Sequence, residues 1–335
     1  MKPDKGDSPA LSGIWGKSEH LRPDGSRPLQ RRLVVIGFFA FLFLETWILA
    51  GGRAFASPIS LTWVHATVRV DNEWGKGGTG FLVIRKIDPK KGKVFLLTNK
   101  HIIHPDPQMR EKAAFLTLYL NIREKGGTVT GKSFRVPLSE EGQKLWRGHP
   151  DPDVDVLAVD ITSLVTNEPN LENRGAEYSL FATPKILIDE DITEGDEILV
   201  LGYPLGLFHT RTNSPLVRQG ILASRIGEKI RIRYHYPSGE VRSVNIPGFL
   251  VDAAVLPGSS GSPVVLKPII GRAIRGKVEM ARATPYLLGI ISATETTSIQ
   301  IGNYSFSTLA SLGIAFDAST IQETIETFFS PESSP

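Results

Sequence analysis

Cysteine is absent from the 335-residue chain, which excludes disulfides, thiol nucleophiles and cysteine-held zinc and leaves stability to the apolar core. Charge of one sign is also scarce. Lys and Arg total 38 against 35 Asp and Glu, a formal net charge of +3. The basic residues are dispersed, so nucleic acid is not implied as a partner. Helical periodicity is nearly missing after Ser57, and no internal repeat stands out. What is plentiful is turn-forming and β-branched: 32 Gly and 23 Pro, among many Val, Ile and Thr, point to an all-β protein.

One long apolar run stands apart. Residues 1–32 are rich in Pro, Gly, Ser and charge and are expected to be disordered. Residues 33–50 are apolar apart from Glu45 and Thr46, and they follow Arg31-Arg32 directly. Ala54-Phe55-Ala56 before Ser57 has the small-x-small pattern of a signal-peptidase site, so 33–56 reads as a signal peptide cut after Ala56. An uncleaved anchor, touching the membrane through residues 33–50, is the competing reading. Both put the bulk of the chain outside the cytoplasm: periplasmic, secreted or membrane-anchored. The arginine pair admits an ordinary basic flank as well as twin-arginine export.

From Ser57 onward, short apolar runs alternate with Gly, Pro, Asn and Asp. Strands are expected at Leu61–Val70, Gly80–Ile84, Val94–Thr98, Ala113–Ile122, Lys132–Pro137 and Val156–Ile161. A polar connection, Thr166–Glu177, then divides a first lobe, 57–175, from a second, 176–330. The second set is Glu197–Gly202, Leu216–Ile226, Lys229–Tyr236, Val241–Val251, Ser262–Leu266, Tyr286–Ala293 and Gly313–Phe316, with a turn at Pro237–Gly239. Near the end, Ser319 or Thr320 can cap a helix whose Ile321, Ile325, Phe328 and Phe329 share one face. That helix is expected on the second lobe.

The segment Val255-Leu256-Pro257-Gly258-Ser259-Ser260-Gly261-Ser262-Pro263 has the make-up of a nucleophile turn. A serine that attacks a carbonyl needs a tight turn whose N–H groups converge on the developing oxyanion, and glycine permits that turn. Gly258 and Ser260 would supply the two donors. A plain Gly/Ser/Pro loop is the competing reading of G-S-S-G alone, and Ser259 and Ser262 rival Ser260.

A serine hydroxyl also needs a histidine base, itself oriented by a buried carboxylate. Among seven histidines, His101 follows the Gly77-Gly78-Thr79-Gly80 turn and the run Thr98-Asn99-Lys100, a strand-end loop that can hold a base within reach. His104 is the nearest rival. Asp155 opens the apolar run Val156-Leu157-Ala158-Val159 and can therefore be buried between lobes. Asp151 and Asp153 read as solvated turn residues, and Asp160 is a weaker candidate.

These residues resemble the trypsin-like peptidase superfamily, most closely its bacterial HtrA/Deg branch. Gly78-Thr79-Gly80-Phe81 with Thr98-Asn99-Lys100-His101 is similar to that branch's G-x-G-F and T-N-x-H motifs, and Asp155–Ile161 to its D-L-A-V-L-x-I strand. Leu201–Gly206 resembles its G-x-P-x-G segment, and Asp252–Pro263 its T-D-A-A-I-x-P-G-N-S-G-G-P. The resemblance runs over residues 61–329. It implies two six-stranded antiparallel β-barrels of chymotrypsin type with a C-terminal helix, His101 and Asp155 from the first and Ser260 from the second. Ser259 and Ser262 depart from the usual Asn or Asp and Gly, and the long Arg225–Phe249 region suggests an enlarged hairpin. No PDZ-like domain is expected after the protease.

The same resemblance implies a serine endopeptidase acting on protein or peptide substrates, with no metal or organic cofactor. Its specificity pocket would have Ala254, six residues before Ser260, as an uncharged floor. Val255, Ser292, Ala293 and Phe316 would form walls, and Thr294 would stand at the entrance. A small or medium aliphatic P1 residue is expected, with Arg and Lys disfavoured. The alternative is a catalytically inactive binding or scaffold protein of the cell envelope on the same fold.

Overall fold

The structure, a computed structural model, describes residues 58–104, 112–209, 211–235, 241–274, 277–282, 284–301 and 304–330. Residues 1–32, the 33–56 segment and the Pro237–Gly239 turn lie outside them. Among the described residues, no helix is long and apolar enough to cross a membrane.

The first lobe contains β1 (Thr67–Asn72), β2 (Gly77–Asp88), β3 (Lys91–Thr98), β4 (Phe115–Arg123) and β5 (Val129–Pro137). A small hairpin of β6 (Ser139–Glu140) and β7 (Gln143–Lys144) precedes β8 (Trp146–Gly148), β9 (Leu157–Asp160) and β10 (Ala176–Glu177). The sheet order is β5-β4-β1-β2-β3-β9-β8, with β10 parallel to β2. Leu145 N–H donates to Leu138 O at 3.1 Å and draws the two ends of the sheet together.

The second lobe contains β11 (Glu197–Gly202), β12 (Leu216–Leu222), β13 (Lys229–His235), β14 (Val241–Asp252) and β15 (Pro263–Leu266). β16 (Ile269–Ile274), β17 (Lys277–Arg282), β18 (Leu287–Ile301) and β19 (Tyr304–Asp317) follow. Six strands, β12-β11-β15-β18-β19-β14, close into a barrel through Ile221↔Asp252 and Leu222↔Val251. The enlarged hairpin is β13–β14, in register from Lys229↔Pro247 to His235↔Val241. A separate hairpin, β16–β17, was not visible in the sequence pattern.

Period-two alternation distributes the side chains. In β4, Leu116, Leu118 and Leu120 are buried while Phe115, Thr117 and Tyr119 are half-buried, as one-sided burial requires. Strands β2, β3 and β9 are apolar on both faces. Leu82, Leu96, Leu157 and Val159 enter the first lobe's core, while Phe81, Val83, Phe95, Leu97 and Ala158 join a second core with Leu201, Val265 and Ile290 of the other lobe. The continuous apolar runs thus mark strands pressed between two cores. The second lobe has its own filling, with Ile198, Val200, Phe249, Val251, Val264 and Ile291.

Two expectations need correction. Leu61–Val70 is not a single strand: α1 (Pro58–Ala66) precedes β1. Trp63 and Ala66 sink into the shared core, Trp63 Nε1 donates to Pro285 O at 2.9 Å, and the Thr67 hydroxyl bonds Trp63 O at 2.7 Å where the helix ends. Among the other helices, α2 (Lys100–Ile103), α3 (Thr162–Asn167) and α4 (Pro184–Asp189) are short. The terminal helix, α5 (Ala318–Glu326), takes Asp317 rather than Ser319 or Thr320 as its N-terminal boundary, because β19 runs straight into it and Thr320 bonds Asp317 O at 2.7 Å from the first turn. It also packs on both lobes: Ile321 and Ile325 lie in the shared core, the Phe328 ring packs tilted against Phe95, and Glu326 pairs with Arg85.

Candidate active site

β3 enters the inter-lobe cleft as an apolar strand, and its polar end, Thr98-Asn99, turns into the single-turn helix α2 that carries His101. This turn is tied to the loop before β9. Asn99 Nδ2 donates to Asp155 O at 2.7 Å, and Lys100 Nζ to Asp151 O at 2.9 Å. With both backbones fixed, the Asp155 carboxylate meets its neighbours: Oδ1 accepts the His101 backbone N–H at 3.1 Å, and Oδ2 lies 2.6 Å from His101 Nδ1. The Ser292 hydroxyl also donates to Oδ2, at 2.7 Å.

Burial pushes the Asp155 carboxyl up. The charge and hydrogen bond of His101, with the Ser292 hydroxyl and the His101 N–H, outweigh burial and hold it below the ordinary carboxylate range. Lys100 shows the reverse: burial lowers its ammonium, opposed by Asp155, Asp151 and Asp153. A carboxylate so placed fixes the imidazole with Nδ1–H toward itself, leaving Nε2 as the basic nitrogen.

The Ser260 turn is built from the other lobe. Gly258 and Gly261 have φ of +89° and +86°, a region that disfavours side chains. Ser259 N–H bonds Leu256 O at 3.0 Å, Ser262 N–H bonds Ser259 O at 2.9 Å, and Gly261 N–H reaches Ile291 O of β18 at 2.8 Å. Ser259 and Ser262 are fully buried, whereas Ser260 is half-buried at the cleft. Its hydroxyl donates to Ser292 O at 3.1 Å. Among the described residues, neither the Gly258 nor the Ser260 N–H donates to a protein acceptor.

Thr79 clamps this turn from the first lobe. Its N–H donates to Ser260 O at 2.8 Å and its hydroxyl to Gly258 O at 2.9 Å, while Thr98 Oγ1 donates to Thr79 O at 2.8 Å. Tyr203 N–H reaches the Thr79 hydroxyl at 3.1 Å, which joins the Tyr203–Gly206 segment to the same point.

The remaining sequence candidates fall elsewhere. Asp160 pairs with Lys93 at 2.8 Å and holds Thr162, and His104 packs edge-on to Trp146. Among the expected pocket residues, Ala254 is exposed and Ala293 and Thr294 are half-buried, Thr294 bonding Leu312 O at 3.1 Å. Val255 lies in the second lobe's core and Phe316 in the shared core. Ser292, expected only as a wall, reaches Asp155 with its side chain. Arg218 carried no signal in the sequence. It pairs with Val200 across β11–β12 and so faces the barrel interior, where Nη1 donates to Ala254 O. Its Nε and Nη2 are buried without a partner among the described residues, and burial lowers its pKa.

A family model described as "Trypsin-like peptidase domain" matches residues 78–268. No curated protein matches by sequence. Among solved structures, the chain is similar to the active form of the Rv3671c protease from M. tuberculosis at 16% identity and TM-score 0.44, over 83% of this chain and 87% of that one. It is also similar to Deg5, at 16% identity and TM-score 0.43, over 81% and 91%. At these TM-scores the likenesses bear no weight for function. The match to the family spans more than half the sequence and both lobes, and with it the chain belongs to the trypsin-like peptidases, the serine endopeptidases of this fold.

Proposed function

We propose that the protein cleaves peptide bonds through Ser260, His101 and Asp155. One observation carries this reading: Ser292 spans the cleft, its hydroxyl on Asp155 and its carbonyl on the Ser260 hydroxyl. Substrate entry releases that hydroxyl, which transfers its proton to His101 Nε2 as Oγ attacks the scissile carbonyl. The Gly258 and Ser260 N–H groups take the oxyanion. Asp155 keeps the imidazolium in place while it protonates the leaving amine. The acyl-enzyme is then hydrolysed by a water that His101 deprotonates.

The P1 residue is small or medium and aliphatic. Ala254 brings no charge to the floor, and the Arg218 guanidinium bonded to its carbonyl adds a reason for Arg and Lys to be refused. The enzyme acts outside the cytoplasm, a reading supported by Arg31-Arg32, the apolar run 33–50 and Ala54-Phe55-Ala56.

Labelling of the full-length protein by a fluorophosphonate tests the nucleophile. Reaction in wild type and none in Ser260→Ala is expected, and absence of Ser260-dependent labelling favours the inactive scaffold instead. A peptide library cut mainly after Arg refutes the pocket. Sequencing the N-terminus of exported protein reads the leader: Ser57 indicates cleavage.

A further inference from the structure

A cleft of about 240 Å³ opens beside the oxyanion turn, between Gly77 and Gly78 of the first lobe and Leu205, Pro257 and Gly258 of the second, with Arg69 and Asp71 in its lining. β18 contributes nothing to that lining. The candidate pocket residues Ser292, Ala293 and Thr294 all lie on β18, so the acyl part of a substrate is on that side of Ser260. On that reading, the chain that leaves after cleavage crosses Gly258 into this cleft.

Arg69 is the fixed cation here. Its Nε and Nη2 donate to Asp71 Oδ1 and Oδ2 at 3.2 and 2.7 Å. The rings of Tyr119 and Phe208 lie 4.5 and 5.1 Å from its guanidinium carbon. A guanidinium has five N–H bonds in one plane. Asp71 takes two, and among the described residues the other three have no protein acceptor.

Asp71 is in the opposite condition. Both its oxygens are engaged by Arg69, and its side chain is only 11% exposed against 23% for Arg69. The capacity left open in the cleft is therefore donor capacity. Lys76, exposed between Gly75 and Gly77, adds a second positive charge at the rim. A group that presents acceptors and a negative charge satisfies these open donors; Asp71, with each oxygen already on Arg69 and its side chain only 11% exposed, offers a substrate cation much less.

We propose that Arg69 is a specificity-determining residue that binds a carboxylate on the leaving-group side of the scissile bond. This rests on the peptidase reading above. Asp71, Tyr119 and Phe208 hold the guanidinium in advance, so little side-chain freedom is lost on binding. Leu205, 61% exposed, offers an apolar lip for the residue between the scissile bond and the acid. The carboxylate has two sources, an Asp or Glu side chain shortly after the cut or the free C-terminus of a short leaving peptide.

The test uses full-length wild type, Arg69→Gln, Asp71→Asn and Ser260→Ala. Peptides of one acyl-side sequence carry Glu or Gln at each of the first positions after the cut, and a second set ends there as free acid or amide. About a tenfold preference in kcat/KM for the charged member of a pair is expected in wild type. It should collapse in Arg69→Gln and persist or grow in Asp71→Asn. The ratio is read within each protein, so a general loss of activity cancels. The Glu/Gln arm and the acid/amide arm tell the two sources apart. Binding of leaving-side peptides to Ser260→Ala, with and without Arg69→Gln, gives a readout without turnover. No acid preference in either assay, or one that survives Arg69→Gln, overturns the subsite. An Arg69-dependent preference in binding with no Ser260-dependent cleavage upholds the subsite and overturns the peptidase reading.

Discussion

Thr79 donates its backbone N–H to the Ser260 carbonyl oxygen at 2.8 Å, so the nucleophile turn of one lobe hangs on a strand of the other. The Thr79 hydroxyl adds a donated bond to Gly258 O and an accepted one from Tyr203 N–H. The first two bonds hold the backbone that carries both oxyanion donors, and the third ties Thr79 to the Tyr203–Gly206 segment. Thr79→Val keeps the shape and the N–H but removes the hydroxyl. At about 1 kcal/mol per lost hydrogen bond, kcat should fall roughly ten- to a hundredfold with a smaller change in KM, and Thr79→Ser should recover most of it. Equal kinetics for Thr79→Val and wild type would show that the clamp is not needed for alignment.

Gly261 tests the same junction sterically. A Cβ there would stand 1.8 Å from Thr79 O, and the residue holds φ at +86°. Backbone cannot yield as a side-chain tip can, so Gly261→Ala should part the lobes at this point. A loss of stability of about 2 kcal/mol or more, with activity abolished, is expected from urea unfolding and peptide hydrolysis. Gly142→Ala is the control: its φ is +81°, but nothing lies within 4 Å, so it should cost stability without touching activity specifically.

Local pattern made some of this legible and distance hid the rest. The alternation of β4 and the apolar runs of β3 and β9 announced strands, because burial on one face or two is written in successive residues. α1 escaped: Trp63, Val64 and Ala66 show neither a period of two nor a cap, and its helix is settled by contacts such as Trp63 to Pro285, 222 residues away. The Gly78-Thr79-Gly80-Phe81 motif could be recognised, but the reason for its threonine lies 179 residues on, at Gly258. Arg218 is inward-facing only because β12 pairs with β11 in one register, which no residue of β12 reveals alone.

Ser292 is predicted to act through Asp155. Removing its hydroxyl leaves Oδ2 with the His101 ring alone, while burial still opposes the charge. Asp155 is held below its ordinary range. The stability it contributes is therefore fully present above the unfolded carboxylate value, about 4, and is lost as pH falls through the lower folded value. Ser292→Ala should raise that folded value and reduce the loss on acidification, at a cost of about 1–2 kcal/mol near neutral pH and about tenfold in kcat. Melting temperatures from acid to neutral pH, compared with wild type, check this. A variant that melts in parallel with wild type at every pH would show that the hydroxyl does not stabilise the charged carboxylate.

Asp317 should show the opposite sign. It closes β19 at the boundary of α5 and is 6% exposed; its Oδ1 is buried without a partner among the described residues. Burial raises its carboxyl from 3.8 to about 6, against a single opposing hydrogen bond from the Gly227 backbone. Between those values the folded chain binds more protons than the unfolded one, so this residue's contribution to stability falls as pH rises through the window. At about 1.4 kcal/mol for each tenfold change in proton affinity, the whole fall is about 3 kcal/mol. Asp317→Asn keeps an acceptor for Gly227 and removes the buried charge. It should stabilise the protein at pH 7 by up to that amount and make little difference at pH 4. Denaturant unfolding at the two pH values measures both. A destabilisation at pH 7 would mean that the Asp317 charge is compensated in the folded chain, and that α5 depends on a carboxylate at its N-terminal boundary.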